Sequence, residues 1–310
     1  MQITVRFLDT FRRAADSDIY FSFRSSRLVM LAASVTAVYF LAAIFAPLIA
    51  PQNPFDLASL QLLDAFTPPV WMEGGDWRFP LGADDQGRDV LSTIMYGSRI
   101  SLAVGFLAVL LAMLIGIAAG LVSGYFGGTV DAVIMRIADV QLSFPAILIA
   151  LLIDGVTRGV VPKEEHDKIA FFVLILAIGL SLWVQYARTV RGSVMVEKNK
   201  EYVQAARVIG IPPALILVRH VLPNVMGPVL VISTINLAIA IITEATLSFL
   251  GVGAPPTTPS LGTLIRVGNN FIFSGEWWIC IFPGFVLATL VLAVNLLGDW
   301  LRDALNPKLR

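Results

Sequence analysis

ISLAVGFLAVLLAMLIGIAAGLV, residues 100–122, carries no charged side chain anywhere along its length. A helix needs about 20 mostly apolar residues to cross a bilayer. Backbone polar groups cannot go unpaired in lipid, so such a run must be helical. Three more uncharged runs repeat the pattern: Leu28–Ala50, Ile169–Ala187 and Trp277–Gly298. Two further runs are apolar with polar interruptions. Ala132–Ile153 carries Arg136, Asp139 and Gln141, and Val225–Thr243 ends at Glu244. The expectation is an all-α, polytopic membrane helical bundle of about six transmembrane helices.

Composition points the same way. Of the 310 residues, 57% are hydrophobic and 14% charged, with mean hydropathy +0.79. A soluble chain carries about 25% charged residues to keep its surface wet. Lys and Arg number 22, as do Asp and Glu, so no global basic field exists for nucleic acid. Cys280 is the only cysteine, which rules out an internal disulfide and a multi-cysteine metal site. The first apolar run is too long for a signal-peptide core and reads as a retained helix.

The distribution of basic residues orients the chain. With the N-terminus inside, segments 1–27, 123–131, 188–224 and 299–310 hold fourteen Lys or Arg. The outer segments 51–99, 154–168 and 251–276 hold seven. Both termini are therefore expected in the cytoplasm. Asn53, Pro54, Pro68, Pro69, Gly74 and Gly75 mark irregular chain in the first outer segment.

Ionisable groups at membrane depth usually face the bundle interior or a wet cavity. Arg136 and Asp139, three apart, share a helix face and can pair. They are candidates either for a translocation path or for an ion pair locking two helices. Glu244 is a third candidate: it could line the exit, cap a neighbouring helix or contact a partner. Pro145 should kink its helix. Asn236 and Asn295 are candidates for interhelical hydrogen bonds.

The basic segment EKNKEYVQAARVIGIPPALILVRHVLPN, residues 197–224, is the most structured loop. Asn199 is a candidate N-cap, and Glu201 in the first turn suits the helix dipole. Val203, Ala206 and Gly210 lie near one face. Gly210 suits a helix end, and Pro212–Pro213 can start a second short helix. A helix–turn–helix standing out of the membrane is expected, with Ala205 and Ala206 offering a small-residue surface to another protein.

Ala205-Ala206, three residues, Gly210, nine residues, His220, then Leu222-Pro223 resembles the Glu-Ala-Ala loop of ABC-importer permeases. Gln204 and His220 stand where that pattern has Glu and Ile. FPLGADDQGRDVLSTIMYGSRISL (79–102), EATLSFLGVGAPPTTPSLGTLI (244–265) and NLLGDWLRDALNPKLR (295–310) resemble the peptide-transporter branch. So do Glu201-Tyr202 and Arg219-His220. With the basic N-terminus and first span, the resemblance covers nearly the whole chain. It is strongest to the second permease subunit of dipeptide and oligopeptide importers.

The resemblance implies a type I ABC importer permease fold of the MetI-like kind. Its layout would be a cytoplasmic segment 1–27, a first transmembrane helix 28–50, a periplasmic segment 51–99, a core permease domain 100–300 with five transmembrane helices and a cytoplasmic coupling loop 188–224, and a tail 301–310. Glu201, Gln204, Ala205, Ala206, Gly210, Leu222 and Pro223 would serve ATPase coupling. The implied partners are a homologous second permease, two ABC ATPase subunits, a periplasmic substrate-binding protein and membrane lipid. Cargo would be di- or oligopeptides, the same family also handling nickel chelates, glutathione and opines.

The chain has no G-x-x-x-x-G-K-[ST] phosphate loop, so ATP and Mg are expected on partner subunits and no cofactor on this chain. A catalytic role is not expected: His166 and His220 are the only histidines, and no HExxH occurs. An ion-coupled secondary transporter would typically show internal repeats around a broken-helix site. Pro145 is one such break, and no matching second half is evident.

Overall fold

The computed structural model describes residues 18–56, 60–162, 165–255 and 257–304. Among them the architecture is helical. α1 (Asp18–Ser25) leads into α2 (Arg27–Ile44), whose N-cap Ser26 accepts the Val29 N–H at 3.4 Å. The first apolar run breaks at Phe45, one residue before the short α3 (Ala46–Ile49) with Pro47 in its first turn.

α4 (Val90–Phe126) begins ten residues before the quoted apolar run. Asp89 sets that start: its carboxylate accepts the Ser92 N–H at 2.8 Å, the donor pairing a helix N-terminus requires. At 37 residues α4 is about 55 Å long, well beyond a hydrocarbon core of about 30 Å. Gly127 and Gly128, at φ +66° and +54°, reverse the chain in two residues.

α5 (Gly128–Leu142) and α6 (Ala146–Val160) follow. The expected single span with a kink is instead two helices bent by 89°. Pro145 cannot donate to the helix ladder and disfavours helical backbone at Phe144. Ser143 and Phe144 accordingly wind off through three-residue bonds to Val140 and Gln141. Among the described residues five helices are long and apolar enough to cross a membrane, six if this bent pair is one span.

α7 (His166–Glu197) returns beside α4. The short α8 (Glu201–Val208) and α9 (Pro213–Ile216) come next, followed by a wide five-residue turn, Leu217–Val221. α10 (Leu222–Phe249), α11 (Leu261–Asn269) and α12 (Trp278–Ala304) complete the chain.

The most extensive pairing in the bundle is α4 against α7. Gly116, Gly120 and Gly124 recur every four residues, one stripe along the helix. A Cβ on Gly116 would stand 2.3 Å from Tyr186 Cβ and 2.6 Å from the Trp183 carbonyl oxygen. One on Gly120 would stand 2.6 Å from the Ala187 carbonyl oxygen, and one on Gly124 2.8 Å from Val194 Cβ. Lipid supplies no hydrophobic drive between helices, so close backbone packing of this kind is what holds them. A second cluster joins α2, α10, α11 and α12 through Ala43, Ile241, Leu261, Trp278 and Leu290. Asn236 is fully buried on α10.

Gly116→Val forces α4 and α7 apart and costs about 3 kcal/mol. Gly192→Val on α7 meets open space and serves as the control. Thermal unfolding of the purified chains should show a large loss for the first variant and none for the second. Equal stability would remove the stripe from its central role.

Candidate coupling site

α7 ends at Glu197, and the chain turns through Lys198–Lys200 into α8. Lys200, not Asn199, occupies the N-cap position. The Asn199 side chain instead donates to the Met195 carbonyl at 3.0 Å, inside the preceding helix. Val203 and Ala206 turn inward and are buried. Ala206 is therefore a packing residue, not part of the surface expected of it. Glu201, Gln204, Ala205 and Gly210 are exposed.

Gly210, at φ +76°, ends α8 in the left-handed region that a glycine enters freely. The Ile211 N–H reaches the Ala206 carbonyl at 3.1 Å and the Gly210 N–H reaches Arg207 at 3.0 Å. That pair of bonds is the Schellman helix ending. Nothing lies within 4 Å of a Cβ built at Gly210, so its constraint is the backbone angle alone. Val208 and Ile209 project from this tip, 87% and 75% exposed.

The expected second helix is not separate. α9 passes through the wide turn directly into α10, and the whole stretch Pro213–Phe249 runs as one candidate span. Leu222 is half-buried against the core, and Pro223 is exposed in the first turn of α10.

Three long-range ties hold α8 in place. The Tyr202 hydroxyl donates to Glu197 Oε1 and accepts from Asn224 Nδ2 at 3.1 Å, joining the end of α7 to the start of α10. Partial burial, and then the Glu197 carboxylate, push the Tyr202 phenol up to about 12, so it keeps its donor proton. Arg207 lies over the Tyr125 ring, 4.8 Å from its centroid, and reaches the α4 end. Lys198 Nζ donates to the Gly124 carbonyl at 2.7 Å. Tyr125, Glu197, Lys198, Arg207 and Asn224 were not assigned a site role from sequence. Their partners lie up to 82 positions away, and no local spacing announces that.

The three candidate path residues do not converge. Asp139 pairs with Arg188 of α7 at 2.6 Å, not with Arg136, which is exposed on α5. Glu244 is 0% exposed. It accepts from Ser101 Oγ at 2.7 Å and Ser248 Oγ at 2.6 Å. Ser101 Oγ also accepts the Leu261 N–H at 3.2 Å. Through Ser101, Glu244 is tied to the start of α11, whose N-cap is Ser260.

Residues 112–310 match the family described as "Binding-protein-dependent transport system inner membrane component". The chain belongs to that family. Residues 17–69 match the N-terminal TM domain of oligopeptide transport permease C. The dipeptide transport system permease protein DppC of Haemophilus influenzae is 38% identical over 94% of this chain and 95% of its own. The oligopeptide transport system permease protein OppC of Bacillus subtilis is 37% identical over 94% and 90%. DppC of Escherichia coli K12 is 40% identical over 89% and 87%. The MetNI methionine ABC transporter, solved in inward-facing conformations, shares the fold. One of its chains superimposes with a TM-score of 0.53 at 19% identity, covering 69% of this chain and 96% of that one. The permease is thus a multi-pass inner-membrane protein.

Tyr202→Phe removes the hydroxyl that joins α7 to α10 and costs about 1 kcal/mol. Amide hydrogen exchange should quicken across 201–210 and stay unchanged in α4. Unchanged exchange at 201–210 would show that the tie does not hold α8.

Proposed function

We propose that this permease is one membrane subunit of an ATP-driven importer of di- and oligopeptides, coupled to an ATPase subunit through the exposed surface of α8 and its Gly210 turn. The observation that carries the peptide assignment is the agreement of its relatives: DppC and OppC permeases match it over at least nine-tenths of its length. The coupling assignment rests on geometry. Val208, Ile209 and Val218 present apolar surface on an anchored loop, and burying each in a partner cleft would contribute about 2 kcal/mol. A homologous second permease, a second ATPase subunit and a periplasmic binding protein complete the assembly. ATP and Mg belong to the ATPases. Both termini and the coupling loop face the cytoplasm, on the two-to-one excess of Lys and Arg in those segments.

A periplasm-dependent reporter fused after Gly74 should be active, and the same reporter after Asn199 silent. A deletion strain should lose uptake of di- to pentapeptides supplied as the sole source of a required amino acid. The reverse reporter pattern would overturn the orientation. Intact peptide uptake with loss of nickel or opine uptake would overturn the cargo.

Gly210→Val places a β-branched side chain at positive φ, a strain of about 1–3 kcal/mol. That is enough to misplace α8 and too little to unfold the bundle. The variant should reach the membrane and join its sister permease, yet lose transport and substrate-stimulated ATP hydrolysis together. Wild-type rates of both in the purified complex would overturn the coupling role.

A further inference from the structure

At the end of the bundle opposite α8, the chain forms a half-open polar cavity of about 140 Å³. Its walls are the last turns of α6, the start of α7, the chain leaving α10, and Arg266 of α11. Four of its polar side chains are occupied, and one of them, Thr157, donates to the Ile153 carbonyl at 2.7 Å. Asp154 accepts from Arg158 Nε at 2.7 Å. His166 donates through Nε2 to the Val161 carbonyl at 2.7 Å. Arg266 is half-buried and has no ion pair or hydrogen-bonded partner among the described residues.

The position of Arg266 is built into the turn after α10. Gly251 sits at φ +86°, and a Cβ there would stand 2.4 Å from Arg266 Nη1. A side chain at 251 would therefore displace the guanidinium. Among the described residues that line the cavity, two guanidiniums, Arg158 and Arg266, stand with one carboxylate, Asp154. Ile169, Val173 and Pro255 add an apolar wall. A guanidinium binds a carboxylate through two parallel hydrogen bonds, and it does so best where water is scarce.

We propose that this cavity binds the free C-terminal carboxylate of a short peptide, with Arg266 as its anchor and the Asp154-held Arg158 beside it. The apolar wall would take the terminal side chain. A volume of about 140 Å³ suits the end of an extended peptide better than a loop of a folded partner. The proposal rests on the peptide reading above and locates a cargo subsite within the permease itself.

The test uses the assembled transporter in nanodiscs without its binding protein. Equilibrium binding of labelled trialanine is compared with that of trialanine amide. The wild type should hold the free acid about tenfold more tightly than the amide. Arg266→Ala should bring that ratio close to one, and Arg266→Lys should keep part of it. An acid no tighter than the amide on the wild type would overturn the proposal. So would an unchanged ratio in Arg266→Ala, or an equal loss of both probes, which would point to a structural role. Should Arg266→Ala fail to assemble, the wild-type ratio and Arg266→Lys decide. Peptide uptake with the binding protein restored separates the two levels. Uptake of trialanine alongside an insensitive ratio leaves the peptide reading standing and removes the subsite. No trialanine uptake by the wild type removes both.

Discussion

The contact on which the bundle depends is the backbone approach of α4 to α7. Gly116, Gly120 and Gly124 leave no room for a side chain, so the two helices meet atom to atom along about two turns. In lipid, apolar side chains gain little by leaving one hydrocarbon environment for another. Dispersion between closely fitted surfaces and short interhelical bonds must do the holding. The other spans arrange themselves around this pair: α10 packs against both, and α2, α11 and α12 form a second cluster on its flank.

That arrangement also explains how the protruding loop is held. The glycine stripe brings the last turn of α4 beside the last turns of α7, within reach of Lys198 and Arg207. Tyr202 then closes the triangle to the start of α10 through Asn224. A push on α8 would therefore be felt at the ends of three spans at once. The exposed tip at Val208 and Ile209 is free for a partner because the inward face, Val203 and Ala206, already satisfies the core.

At the far end the chain uses polar groups differently. Glu244 is surrounded by serines that donate to it, and one of these also receives the start of α11. A buried carboxylate without such donors would be costly. Arg266, by contrast, has no partner among the described residues and lies beside a cavity, across a glycine that makes way for it. The first arrangement is closed to ligands and the second is open to them.

Hydropathy and charge by themselves determined the membrane class, most span positions, the asymmetry of basic residues and the glycine end of α8. These are local properties: apolar length, K/R counts and a backbone that must turn left-handed at Gly210. Motifs in chain order determined the family. Tertiary structure alone decided the rest, because it depended on residues far apart in sequence. It turned the Pro145 kink into a break of 89° and gave Asp139 to Arg188 in place of Arg136. It buried Ala206 and closed Glu244 off within a serine cluster. The glycine stripe shows the division well. Its four-residue spacing was visible in the sequence, but only the neighbouring backbone of α7 made those three positions intolerant of any side chain.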